Sequence, residues 1–562
     1  MSPIEVARNG VRAFLSAMGL EVRGMHQAAY LLALFALLSQ LLGLVRDRML
    51  ASSFGASHTL DVYYAAFRVP DLLFATVASL LSLYALLPVL SKLEQEGVGS
   101  AGFLHRILLL FFVVMAVFAG VLFLLAPQLA ALVAPGLDNP TLETLMRILL
   151  LQPILLGASN IVASLTQLRH RFLLYAVSPL LYNLGIIFGI AFLYPQLGLS
   201  GLGWGVVLGA ALHLGVQLPF FGQEERRYEP WGVLLRRVRQ VLSLSVPRTL
   251  ALASGQISLV VLTAMASFLA PGSIAVFAFA FNLQAVPLAI IGVSYSVAAF
   301  PTLSRLHAQG ERSEFMRHIE AALRHMLFWA IPATVFVIVL RAQLVRTILG
   351  AGAFDWEATR LVAAALALFI VSLCAQSVTL LIARAYYAAG KTAKPLLFAL
   401  LAVSATVVAA SALSAAFHAS PLWRTFLEAL LRVSDIPGTT VLMLALAYAI
   451  GSLLQATASL QSFCRDFQMD LGPLRRLAFE SFSAAVIGGA AAYGVLALLG
   501  SVLDINTAGG IVTQGAAAGV VGLGVTACTL ALLGNRELVE TYGSLRKRFV
   551  KQPPALEATD VA

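Results

Sequence analysis

Fourteen apolar runs, each about long enough to cross a lipid bilayer, follow one another along this chain of 562 residues. They lie near 27–45, 62–92, 103–134, 141–168, 172–195, 200–221, 240–270, 274–304, 320–349, 358–388, 394–417, 440–463, 479–500 and 508–534. A hydrocarbon core of about 30 Å takes roughly 20 apolar residues per helix. A backbone in lipid must also satisfy its own hydrogen bonds, which helices and closed barrels alone achieve. No alternation of period two runs through these segments, so they read as helices rather than barrel strands. The chain is 60% hydrophobic and 11% charged, whereas soluble domains run near 45–50% and about 25%. A large soluble catalytic domain is therefore excluded. The expected fold class is an all-α polytopic membrane protein with 14 transmembrane helices.

The net charge of +10 is explained by topology. With the N-terminus in the cytoplasm and the spans alternating, 27 of the 37 basic residues fall in inside segments. Seven fall outside (Arg46, Arg48, Arg341, Arg346, Arg360, Arg424 and Arg432), and Arg68, Arg147 and Arg248 lie within spans. That bias follows the positive-inside rule with both termini cytoplasmic, so no nucleic-acid partner is needed. Residues 1–26 lack the charged, apolar and small-residue regions of a signal peptide and read as an amphipathic arm on the membrane surface. Cys374, Cys464 and Cys528 stand singly, without the spacing of a disulfide framework or a zinc site. No metal, cofactor or enzymatic centre is expected.

The chain repeats itself. LLPVLSKLEQEG at 86–97 returns as AFPTLSRLHAQG at 299–310, and SPLLYNL at 178–184 returns as KPLLFAL at 394–400. Two echoes at nearly one offset argue for a duplicated six-helix unit. Six is even, so both copies keep one orientation, as in parallel transporter repeats. The expected organisation is an arm (1–26), an N-lobe of helices 1–6 (27–222), a basic cytoplasmic linker (223–239), a C-lobe of helices 7–12 (240–463), helices 13–14 (464–534) and a cytoplasmic tail (535–562). Two such lobes around a central cavity form a transporter plan.

Ionisable and amide groups inside spans cost free energy and so mark a cavity or a partner; a charge at mid-depth costs about 2.5–3.5 kcal/mol or more. The first two helices of each repeat carry Gln40, Arg46-Asp47, Asp61, Arg68 and Asp71, and then Arg248, Gln256, Asn282 and Gln284. Each has a plainer reading beside the cargo-binding one. Asp61 suits the positive end of helix 2, after the cap candidates Ser57 and Thr59. Arg68 and Asp71 are i,i+3 neighbours that can satisfy each other, and Arg46 and Arg248 can snorkel to an interface. The amides can be interhelical glue, as Arg147, Gln152, Asn160 and Asn183 are taken to serve packing or interface roles. With Asp47 at the end of the first helix left aside, three arginines stand against Asp61 and Asp71, which leans towards an anionic ligand, and phosphate suits the guanidinium fork. Helices 7, 8 and 11 hold no Asp or Glu. Ion coupling there lacks ligands, whereas a charged cargo responds to membrane potential at about 2.3 kcal/mol per charge per 100 mV.

GLVRD (43–47), FGASHTLD (54–61), AFRVPDLL (66–73) and LLPVLSK (86–92) resemble the opening of the lipid II flippases, the MurJ/MviN family. RFLLYAVSP with Asn183, SGQISLVV (254–261), FPTLSR (300–305), GAGAF (350–354) and AYYAAGKTAKP (385–395) continue the resemblance in order. It implies a fold of the multidrug/oligosaccharidyl-lipid/polysaccharide exporter type, with helices 13–14 forming a groove for a polyprenyl tail. It implies a lipid II flippase of the bacterial cytoplasmic (inner) membrane, working by alternating access. Its partners would be a polyprenyl-diphosphate glycolipid, membrane lipids and cell-wall synthesis enzymes. Arg46 and Asp61 match functional positions of that family, and Arg68 replaces its usual lysine. Phe74, Ala75 and Ser79 stand where the family carries an arginine pair and a glutamate, Gln40 replaces an arginine, and Phe281-Asn282 replaces an Asp-Arg pair. Two alternatives stay open on those departures: a flippase for another polyprenyl-linked glycan or amphiphile, and a non-transporting envelope scaffold.

Overall fold

Long helices of apolar sequence dominate a computed structural model that describes residues 25–81, 83–96, 100–137, 140–169, 171–221, 230–504, 507–540 and 543; of side chains in its helices, those of residues 25–30, 83–85, 87, 88, 220, 221, 240, 243, 244, 247 and 248 lie outside the description. No strand occurs among the described residues. All but the last two residues of the expected arm and most of the expected tail lie outside them, as do residues 223–229 of the expected linker. The rest of that basic stretch is helical from Trp231 and continues without a break to Ser267.

Among the described residues ten helices are long and apolar enough to span a membrane, or eleven with the pair Trp356–Ile370 and Leu373–Ala388, bent by 43°, taken as one span. The other three expected spans have different shapes. The first lies in a continuous 30-residue helix, Met25–Phe54, whose C-terminal part is charged. The sixth is a 17-residue helix, Leu199–Gly215. The second is broken into His58–Ala66, Arg68–Thr76, a short 3-10 turn at Ala78–Leu81, and Leu83–Gln95. Pro70 sits in the first turn of the Arg68–Thr76 piece, where its missing N–H costs no helical bond. A count of fourteen is thus not reached by helix length and apolarity alone.

By their contacts the residues divide into two units. The first runs up to Asn282 and includes Ile348–Ala365 and Thr392–Leu454. Within it, helices Phe172–Phe188 and Leu199–Gly215 meet along glycines. A Cβ on Gly205 would stand 2.5 Å from the Cα of Gly189, and one on Gly209 would stand 2.3 Å from the Tyr182 carbonyl oxygen. Lipid gives helices no hydrophobic reason to associate, so close backbone approach through small residues supplies the packing. Gly205→Ala is expected to destabilise the protein by about 2 kcal/mol through overpacking against backbone. Gly215→Ala, where a Cβ meets nothing within 4 Å, should be neutral; thermal unfolding in detergent compares the two. At the aqueous edge of this unit Arg237 donates to Glu96 at 2.8 Å, and that hydrogen bond holds the Glu96 carboxyl below its ordinary range.

The second unit comprises Leu283–Thr347, Leu366–Lys391 and the chain from Gln455 onward. Phe328 packs with Leu477, Ala484 and Leu530, and Phe336 with Ala492, Leu496 and Ala518. Helix Arg312–Val339 is thereby joined to the last two spans, Gly472–Gly500 and Ala508–Leu532. Below this seam Arg324 pairs with the buried carboxylate of Glu537, and Asn535 donates to Glu480 at 2.8 Å. Removing one member of a buried pair strands the other charge. Glu537→Ala should therefore cost about 3 kcal/mol, measurable as a lowered unfolding midpoint.

Among the described residues one π-helical turn occurs in each unit, at Gly189–Leu193 and at Ala289–Val293. Pro195 follows the first and Pro287 precedes the second. A proline lacks the N–H and crowds the carbonyl four residues back; for Pro195 that is the carbonyl of Ala191, inside the first wide turn, whereas for Pro287 it is that of Leu283, before the second.

Candidate functional site

Polar residues inside apolar helices converge at one cavity of the first unit. It has a volume of about 290 Å³ and is walled by Arg46, Tyr63, Tyr64, Phe67, Arg68, Asp71, Gln152, Tyr182, Gln256, Phe281 and Asn282, among others. The helix Met25–Phe54 presents Arg46 to it, and the end of that helix is pinned. Ala353 N–H donates to the Ser52 carbonyl at 2.8 Å, and Arg48 donates to the Ile348 carbonyl at 3.2 Å. The GAGAF stretch is thus the clamp on the first helix. Gly55 and Gly352, at φ +63 and +53, both occupy the left-handed region, and a Cβ on either would strike the opposing backbone.

Arg46 is engaged on two sides. Its Nε and Nη2 donate to one carboxylate oxygen of Asp47 at 3.0 and 2.8 Å, and Nη1 donates to Asn183 Oδ1 at 3.3 Å. The other Asp47 oxygen accepts from Asn282 Nδ2 at 3.1 Å. Asp47 is 3% exposed, so its charge is compensated by these two partners alone among the described residues. Arg68 donates from Nε to Thr263 Oγ1 at 2.8 Å. Its expected mutual satisfaction with Asp71 is not formed as a hydrogen bond: the Asp71 carboxylate accepts none among the described residues and faces the cavity.

Asp61 is placed differently from a cargo ligand. It is 2% exposed, lies in the first turn of its helix and accepts from the backbone N–H groups of Gly272 at 2.5 Å and Ala275 at 2.9 Å. It therefore caps the start of helix Ser273–Leu288, more than 200 residues on, rather than its own helix. A carboxylate on orphan N–H groups at a positive helix end is favoured by both hydrogen bonding and the dipole. Ser57 is the N-cap residue of Asp61's own helix but makes no side-chain cap bond. Gly272, at φ +90, turns the chain into the capped helix, with no room for a Cβ against the Ala56 carbonyl.

The remaining sequence candidates separate. Gln256 and Asn282 line the cavity. Gln40 is exposed on the first helix and is not a wall residue. Gln284 is 1% exposed, with Nε2 lacking a partner among the described residues, and belongs to the second unit. The side chain of Arg248 lies outside the described residues. Reading the sequence missed Tyr63, Tyr64 and Tyr182, and it placed Gln152 and Asn183 among packing residues. Gln152 donates to the Tyr182 hydroxyl at 3.2 Å, while its Oε1 and the Tyr64 hydroxyl are buried without partners among the described residues. Such groups each cost about 1–3 kcal/mol unless something else satisfies them. The available signal was the paired tyrosines one turn before Arg68, hydroxyls in a span that is otherwise apolar.

Charged groups in a polar cavity, walled by spans in a nearly all-helical chain, define a multi-pass membrane transporter. Solved structures share this architecture. One described as lipid II flippase MurJ in an inward closed conformation superposes with a TM-score of 0.66 at 19% identity, over 90% of this chain and 99% of that one. An inward-facing multidrug resistance MATE family transporter of the MOP superfamily gives 0.63 at 13%, over 76% and 94%. The family model described as lipid II flippase MurJ matches residues 50–504, and the chain belongs to that family. Relatives include the lipid II flippase MurJ of Burkholderia cenocepacia, 28% identical over 63% of this chain and 71% of that protein. The probable lipid II flippase MurJ of Thermotoga maritima is 28% identical over 65% and 75%.

Proposed function

We propose that this protein moves lipid II, an undecaprenyl-diphosphate-linked peptidoglycan precursor, from the inner to the outer leaflet of the bacterial cytoplasmic membrane. The observation that carries the reading is membership of the flippase family, joined to a cavity in which Arg46 is held ready by a single neighbouring carboxylate. Asp47 occupies the guanidinium as a phosphate oxygen would, and a diphosphate entering the cavity offers a bidentate replacement. The exchange leaves Asp47 with Asn282, so cargo entry bears on the contact between the first helix and the helix carrying Asn282.

Alternating access requires the cavity to close on one side before opening on the other. The tie from Asp61 to the start of helix Ser273–Leu288 is a contact suited to being made in one state and released in another. In this reading both termini are cytoplasmic, two duplicated lobes (27–222 and 240–463) form the moving parts, and helices 13–14 hold the polyprenyl tail. The protein is a carrier and not an enzyme, and cell-wall synthesis enzymes that polymerise its cargo are its neighbours.

Translocation of labelled lipid II by the purified protein in proteoliposomes, with and without an imposed potential, tests this. Movement that depends on Arg46 supports the assignment, and acceleration by the potential identifies the driving force. Transport of a different polyprenyl glycolipid in place of lipid II would reassign the cargo. Transport of neither by folded protein would favour a scaffold.

A further inference from the structure

The cavity is charge-balanced among its described side chains, with Arg46 held by Asp47 and Arg68 standing near Asp71. A diphosphate there gains two guanidiniums and meets two carboxylates. The uncommitted hydrogen-bonding capacity is neutral instead. Gln152, 6% exposed, commits one end of its amide to Tyr182 and leaves the other buried and unpartnered. Turning the amide over exchanges the two ends and still strands one of them. Tyr182 accepts in this bond and keeps its own proton to donate. Tyr64 adds a hydroxyl without a partner among the described residues, and Tyr63, Phe67 and Phe281 supply aromatic wall.

Clustered hydroxyl and amide groups beside aromatic faces suit a polyhydroxylated ring, whose hydroxyls donate and accept at once and whose C–H faces lie against aromatic surface. At about 290 Å³ the cavity sits at the small end of ligand pockets, which run about 300–1,000 Å³, with room for one such ring rather than a disaccharide carrying a peptide. We propose that Gln152, Tyr182 and Tyr64 read the sugar next to the diphosphate of the cargo, and that this neutral cluster sets which polyprenyl-linked lipid the cavity prefers. The inference rests on the flippase reading above and names the part of the cargo that is recognised.

The test is equilibrium binding of the full chain in nanodiscs to two probes, undecaprenyl diphosphate and the same lipid bearing one N-acetylhexosamine. The sugar-bearing lipid is expected to bind about tenfold more tightly, the difference one well-placed hydrogen bond makes. Gln152→Leu should bring the ratio near one while leaving the bare diphosphate unchanged. Tyr182→Phe, which keeps the ring and removes only the hydroxyl, should lower the ratio even if the Gln152 variant does not fold. Equal binding of the two lipids by the unaltered protein, or a ratio that survives Tyr182→Phe, overturns the inference and leaves the flippase reading standing. Binding of neither lipid overturns both.

Discussion

Arg46→Ala is expected to abolish lipid translocation, with a loss of at least about 100-fold, and to destabilise the protein as well. The two effects are separable. Removing the guanidinium leaves Asp47 buried with only Asn282 to compensate it, and breaking a buried pair from one side costs about 3–5 kcal/mol. Arg46→Ala combined with Asp47→Ala removes both charges and should recover most of that stability, yet it should remain inactive because no guanidinium meets the phosphate. Unfolding midpoints and proteoliposome transport for the two proteins decide the matter. If the double variant regains transport along with stability, Arg46 is a structural partner of Asp47 and not a cargo ligand.

The second large effect is expected at Asp61. Its carboxylate takes two backbone N–H groups at a buried helix start, and Asp61→Ala strands both, for about 3 kcal/mol by summing hydrogen bonds to a charged group. Asp61→Asn keeps a neutral acceptor and should lose roughly half as much. Ser57→Ala, at the N-cap of the same segment but without a side-chain cap bond, should stay within about 0.5 kcal/mol. Denaturation of the three variants orders them, and a Ser57 effect as large as that of Asp61 would mean the cap lies on the wrong helix.

The class of fold was legible because bilayer thickness imposes one length on every span, and a run of apolar residues either meets it or does not. Where the chain departs from that rule, the sequence misled. The second span looked continuous, yet it is divided into four pieces, with Pro70 in the first turn of the second. The candidate site was half legible for a related reason. Arg46, Arg68, Gln256 and Asn282 stood out because charge and amide are costly in lipid, and the cavity gathers them. Tyr63, Tyr64 and Tyr182 did not stand out, because a tyrosine in a span is compatible with lipid, a neighbouring helix or a cavity alike. Asp61 was noticed, but its partners are backbone groups of Gly272 and Ala275, and backbone carries no mark in a sequence. The same holds for the clamp at Ala353, where the motif was seen and its purpose, fixing the end of the first helix, was not.

The two wide turns, Gly189–Leu193 and Ala289–Val293, bear on how either helix should be aligned with a counterpart in another chain. Each wide turn holds one residue more than an ordinary α-helical ladder would, so positions beyond it are displaced by one from those before it. A correct alignment of either helix with a counterpart lacking the turn must open a single-residue gap in mid-span, the place where gaps are ordinarily forbidden. Scoring that penalises such a gap will pair every residue downstream with the neighbour of its true equivalent.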